Sequence, residues 1–332
     1  MAVPESPWGN EFVKPIYLDN QATTPVDPRV TEAMIPYLSE QFGNAASVHH
    51  AYGRKAKEAV EYARKTLANN INARSKEIVF TSGATEAINL VSHAWGSHNL
   101  KAGDVVVLTE MEHHSDIVPW QMLAEKTAIE LRYVPVENGE LDMDAFEIAL
   151  VGAKLVCMVH TSNVLGIRNP VEEVISKSHS AGARVLLDAA QAVPHESINF
   201  HELGADFMAF SAHKMCGPTG IGALLVSDEA FSEMEPFMGG GDMIETVTLE
   251  GSTYQTNEHR FEAGTPRIAE GFGWAAALET LKEEGLENRW NRCASLAKGV
   301  RNLFTDLGFD LLADEYYRSS TVTAIMYPGG ID

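Results

Sequence analysis

Cysteine is scarce in this sequence. Three occur in 332 residues, Cys157, Cys216 and Cys293, widely spaced and with no CxxC pair. An odd and scattered set argues against a disulfide framework and against a cysteine-based zinc site. Positive charge is also short: 25 Lys and Arg stand against 46 Asp and Glu, a net charge of −21. Such a chain grips phosphate backbones and anionic lipid poorly, and no Lys/Arg cluster offsets this. Neither nucleic acid nor a membrane is an expected partner. No apolar run approaches ~18 residues, so no membrane span is expected. The opening "MAVPESPWGNEF" lacks a basic stretch followed by an apolar one, so no secretory signal is expected and the cytoplasm is the default compartment. Repeats, low-complexity tracts, a P-loop and a GxGxxG after a strand are all missing.

What is present is a large apolar fraction, 45%, with 21% charged residues, enough for a sizeable core and more than one lobe. Five short apolar runs read as buried strands: 77–81, 104–109, 154–160, 184–189 and 206–212. Amphipathic stretches at 54–71 and 171–182 read as helices, the second stopped by Gly182. Alternation of this kind predicts an α/β fold, a mainly parallel sheet covered by helices on both faces. After about residue 270 the pattern changes to long helices (272–308) and then a strand and turn at 320–330. The expected organisation is an N-terminal segment (1–20), a large domain (21–270) and a small α/β C-terminal domain (271–332). One helical region and one or two strands bury little core by themselves, so the small lobe is expected to be incomplete.

The chemistry gathers at strand ends, where ligands bind in doubly wound sheets. In "FMAFSAHKMCGPTGIGALLV" (207–226), Ser211, His213 and Lys214 follow directly on an apolar run. A lysine desolvated there becomes a nucleophilic amine suited to Schiff-base chemistry; the alternative is an ordinary loop lysine. "LLDAAQ" puts Asp188 and Gln191 at the preceding strand end, where a lone acid needs a partner or serves as a cap. "FTSGATEAINL" (80–90) offers Ser82 to Thr85 at a helix start, able to aim N–H groups and hydroxyls at a phosphate. "EMEHHSDIVPW" (110–120) and "HTSNVLG" (160–166) bring His113, His114 and Asn163 to the same edge. The His pair lacks metal-ligand spacing, so no metal is expected.

These stretches, with "YLDNQATTPVDPRV" and "RFEAGTP", together resemble the cysteine desulfurases and selenocysteine lyases of the class V aminotransferase family, Suf-type over most of the chain. The resemblance covers roughly 15–280 and implies a fold-type I transferase with a seven-stranded sheet, a homodimer, and pyridoxal 5'-phosphate as cofactor. It implies that Lys214 holds the cofactor covalently, that Asp188 pairs with the pyridine nitrogen and that Gln191 bonds the ring hydroxyl. His113 would stack on the ring and act in catalysis beside Lys214, and Asn163 would line the cofactor and substrate side. Ala84, Thr85, Ser211 and His213 would hold the phosphate, and Thr265 would reach the partner subunit's phosphate. The implied reaction takes sulfur from L-cysteine (or selenium from L-selenocysteine), leaving L-alanine and an enzyme persulfide for a sulfur-acceptor protein and iron–sulfur cluster assembly. None of the three cysteines stands at the family's nucleophile position: Cys157 falls inside an apolar strand, Cys293 on a helix, Cys216 two residues from Lys214. The chain is therefore expected to be either a fragment of a longer enzyme or a descendant of one that has lost its terminal lobe, the unfinished small lobe favouring the fragment. Two alternatives stand beside this: a class V aminotransferase, favoured by the tail "TVTAIMYPGGID", and a non-catalytic protein of the same fold that only binds a partner.

Overall fold

The computed structural model describes residues 16–326. The turn expected near Pro328 and most of the segment 1–20 lie outside the described residues. Seven strands form the central sheet: β1 (Ile78–Thr81), β2 (Val105–Thr109), β3 (Glu130–Val134), β4 (Ala153–Val159), β5 (Arg184–Asp188), β6 (Phe207–Ser211) and β7 (Gly222–Val226). Their order is β1-β7-β6-β5-β4-β2-β3. Neighbours from β6 through β3 run parallel, while β7 runs antiparallel to both β6 and β1. All five expected strands form, each within a residue or so of the expected limits.

Two strands were not legible as such. β3, "ELRYV", is an edge strand with only Val134 buried, so it carries no continuous apolar signal. β7 is fully buried but follows β6 through a Gly/Pro loop that masks the reversal.

The sheet is covered on both faces because alternate residues point to opposite sides. Val107, Met158, Leu187, Met208 and Leu225 enter one core cluster. Val106, Leu155, Cys157, Leu186, Phe207 and Leu224 enter the other. The main helices are α1 (Pro28–Ser39), α2 (Ala51–Asn70), α3 (Ala84–Leu90), α4 (His114–Thr127), α5 (Val171–Ser180), α6 (Ile268–Glu284) and α7 (Leu286–Asp306). α1 starts where Asp27 caps the N–H of Arg29 and Pro28 presets the first turn. α5 stops at Ala181 with Gly182 at φ +82°, the left-handed position expected from the sequence. α3 runs on through a wider turn, Val91–Gly96, to Asn99.

The lobe division expected at 270/271 falls inside α6. This helix packs on α1 and α2, and its Trp274, Leu278 and Leu281 enter the sheet's core. The large core therefore extends through Leu281. α7 buries no side chain completely, and among the described residues of the expected C-terminal strand Ile325–Met326 pair with Asp310–Leu311. No helix among the described residues is long and apolar enough to cross a membrane.

Candidate functional site

A cavity of about 690 Å³ opens at the carboxyl ends of β5 and β6. Nine of the ten expected site residues line it: Ala84, Thr85, His113, Asn163, Asp188, Gln191, Ser211, His213 and Lys214. Residues from β5, β6, the start of α3 and the approach to α4 meet there because parallel strands carry their carboxyl ends to one edge.

Lys214 ends the short turn Ala212–Lys214 directly after β6. Burial holds its amine below the ordinary lysine range, against the pull of the Asp188 carboxylate. Asp188, the last residue of β5, is buried, and its Oδ1 accepts a hydrogen bond from the Ala190 N–H at 2.9 Å. Burial raises its carboxyl above the usual range, opposed first by that N–H and then by attraction to Lys214 and His113. Burial likewise lowers His113 below 6.5, so the imidazole is neutral at pH 7 and its Nδ1 accepts from the Ser115 N–H at 3.1 Å as the cap of α4.

The phosphate-binding expectation meets a pre-bonded turn. Ser211 Oγ accepts the Ala84 N–H at 2.8 Å, which ties α3 to β6 and leaves the hydroxyl proton for another acceptor. Ser82 donates its N–H to the Glu86 carboxylate at 2.6 Å. The N–H groups of Thr85 and Glu86 in the first turn of α3 precede the first helical bond, which Ala87 donates to the Gly83 carbonyl at 3.1 Å. The turn lies flat on β7: a Cβ on Gly222 would stand 2.5 Å from Gly83 Cα, so only glycine fits there.

The N-terminal strand of chain before α1 closes the cavity's side, which residue-level reading of the sequence did not anticipate. Gln191 Nε2 donates to the Gln21 carbonyl at 2.9 Å, and Gln191 Oε1 is buried with no donor. His213 Nδ1 lies 3.1 Å from Thr23 Oγ1. Thr219 and Gly220 also line the cavity. The motif "YLDNQATTPVDPRV" contains Gln21 and Thr23, but nothing in their types alone marks them as lining a site.

Thr265 is not among the residues lining the cavity. It sits in an exposed segment, its Oγ1 accepting from Asn44 Nδ2 at 3.2 Å. The thiols also stay out of the lining. Cys157 is fully buried in β4, and burial pushes it well above the ordinary thiol range. Cys216, at φ +58°, has its sulfur 3.7 Å from Arg289 Nη2. Cys293 lies on α7. Among the described residues no cluster of three His, Cys, Asp or Glu could hold a metal ion. A larger cavity, about 950 Å³, lies at the opposite edge of the sheet. Its Arg184 is paired with Asp206, Glu229 and Glu233, so no free cation is offered there by that residue.

The cavity suits a phosphorylated carbonyl compound. A desolvated amine, a buried carboxylate and a helix start face one volume, and the orphaned Gln191 oxygen matches a ring hydroxyl. Carbonyl-cofactor chemistry on such a scaffold defines the fold-type I pyridoxal-phosphate enzymes. The chain belongs to the aminotransferase class-V family, whose family model matches residues 16–329, and the family depends on pyridoxal phosphate. A cysteine desulfurase of Haloferax volcanii is 44% identical over 277 residues, which are 82% of this chain and 65% of that protein; the chain thus spans less than two thirds of that relative's length. The apo structure of a cysteine desulfurase from Thermococcus onnurineus superposes with a TM-score of 0.89 at 36% identity, covering 95% of this chain and 79% of the other. A structure of SspA in complex with cysteine gives a TM-score of 0.70 at 29% identity, over 79% and 72% of the two chains.

Proposed function

We propose that this chain acts as a pyridoxal-phosphate-dependent cysteine desulfurase, in the cytoplasm and as a homodimer. The observation that carries the reading is the half-buried Lys214 amine facing Asp188 at adjacent strand ends. The relatives named cysteine desulfurase and the neighbour bound to cysteine support the substrate class.

Bound in the cavity, the cofactor supplies a carbonyl that joins to amines and a ring that draws electrons from the substrate's α-carbon. Lys214, with its amine more easily deprotonated than in water, is placed to hold that carbonyl and then to carry the α-proton. Asp188 is placed to keep a proton on the ring nitrogen. Neutral His113 would stack on the ring. Ala84, Thr85, Ser211 and His213 would hold the phosphate, and Asn163 would line the cofactor and substrate side. Thr265 would reach the partner subunit's phosphate.

The balanced reaction converts L-cysteine and a thiol to L-alanine and a persulfide. The C–S bond breaks, its electron pair stays on carbon and takes a proton, and an S–S bond forms on the accepting sulfur. A sulfur-acceptor protein would then discharge the persulfide.

The test is alanine and persulfide formation from L-cysteine without a keto acid. Borohydride should fix the cofactor to Lys214 in the peptide map. Amino transfer to a keto acid, with no sulfur released, would replace this reading by the aminotransferase one. Normal binding of an acceptor with neither reaction would leave a non-catalytic binding protein.

A further inference from the structure

Two carboxyl groups lie under the cavity floor that the proposed chemistry does not use. Glu112 and Asp116 flank His113, one just before α4 and one in its first turn. Asp116 is 0% exposed and Glu112 7%. Glu112 Oε1 accepts from the Thr109 hydroxyl at 2.6 Å, and Asp116 Oδ1 from the Trp120 indole at 3.4 Å. The other oxygen of each, Glu112 Oε2 and Asp116 Oδ2, is buried with no donor. Each carboxyl perturbs the other's protonation, so the two lie close together, and two ionised carboxylates so placed would repel.

We propose that Glu112 and Asp116 share a proton across these two oxygens and act as a positioning pair, holding the start of α4 and with it His113 against the cavity. One shared proton gives both orphaned oxygens a partner, and it removes a like-charge contact in a place where desolvation makes one costly. The inference concerns residues beneath the cavity and holds whichever substrate the site takes.

The groups facing the pair come from three directions. Asp188 at the end of β5 adds negative potential to both. The Cys157 thiol of β4 lies near Asp116, whose charge adds to burial in pushing the thiol up. His113 and Lys214 act on the far side, through Asp188. Burial pushes Glu112 up to about 8 from 4.5, and Asp116 well above 3.8. The folded state thus keeps protons that the unfolded chain releases. The stabilisation is whole below about pH 4.5 and is lost as pH rises through about 8. Each differing proton changes the unfolding constant by up to about tenfold per pH unit.

The experiment compares unfolding equilibria of the chain and of the Glu112→Gln/Asp116→Asn double variant from pH 5 to 9. The amides keep the shape and a donor but cannot titrate. The wild-type chain should lose stability across this window more steeply than the double variant, the difference approaching one proton. Infrared difference spectra at pH 7 should show a protonated-carboxyl band that Glu112→Gln removes. A Glu112→Ala variant should displace His113, read as loss of its slow hydrogen exchange or altered ring resonances, and Glu112→Gln should restore it. Parallel pH profiles in the two proteins, or no protonated-carboxyl band, would overturn the proposal.

Discussion

Thr24 bridges the two sides of the lysine turn: its hydroxyl donates to the His213 carbonyl at 2.7 Å and accepts from the Cys216 N–H at 2.8 Å. The Thr24 N–H also donates to His213, at 2.8 Å, so a chain segment 189 residues away is laced to the loop that carries Lys214. This is what fixes the lysine relative to the sheet edge.

Replacing Thr24 by Val keeps the shape and removes both hydroxyl bonds. The expected cost is about 1–3 kcal/mol, since the Cys216 N–H and the His213 carbonyl are left less satisfied. Urea unfolding of Thr24→Val beside the parent measures it, and an unchanged midpoint would show the bridge to be idle. Cys216→Gly in the same assay should hold stability or raise it, because φ +58° is a strained position for a residue with a Cβ.

Arg64 and Glu262 form a buried ion pair in which both guanidinium Nη atoms reach the carboxylate at 2.7 Å. Glu262 also accepts the Phe80 N–H at 2.6 Å, joining the segment before Thr265 to β1. Glu262→Ala would leave a fully buried cation with only the more distant Glu258 carboxylate, 3.9 Å from its Nε, as a partner, so a loss of up to roughly 3–5 kcal/mol is expected. The paired guanidinium holds the Glu262 carboxyl below its ordinary range despite burial. Its contribution is therefore present above the unfolded value of 4.5 and lost as pH falls through its folded value. Acid unfolding curves of the parent and Glu262→Gln check this sign.

The three thiols should differ in reactivity. Cys157 is sealed in β4 with its thiolate disfavoured, whereas Cys216 and Cys293 are partly open. Two should react with a small disulfide reagent in the native protein and three after denaturation. Rapid native labelling of Cys157 would mean that β4 opens readily. Cys216→Ser, tested beside the parent for persulfide formation, decides whether that thiol carries sulfur.

Thr265 stands apart from the cavity of its own chain, and in the proposed homodimer it would serve its neighbour's site. Mixing Lys214→Ala and Thr265→Ala chains should place one intact site in each heterodimer and recover up to about half of the parental activity per heterodimer. Heterodimers that form without recovering activity would put the whole site within one chain.

The sequence alone determined the elements whose signal is local. Two of the five expected strands are fully buried and the other three are buried at all but one residue, so they read as apolar runs, and the Gly182 stop is written into one position. Their carboxyl ends carry the reactive residues, so most of the site could be named by walking from one strand end to the next. Edge strand β3 escaped because solvent on its rim permits polar residues, and β7 because a reversal in a Gly/Pro loop leaves no periodic mark.

Tertiary structure alone decided what depends on which strands become neighbours. The sheet order brings Gln21 to Gln191 and Thr23 to His213 across 170 and 190 residues. It keeps Thr265 out of the cavity and draws α6 into the large core across an expected boundary. It also turns Glu112 and Asp116, ordinary acids in the sequence, into a pair sealed from water. Periodicity reports which face of an element is apolar; burial of a particular carboxyl depends on what packs over it, and that is set only when distant segments meet.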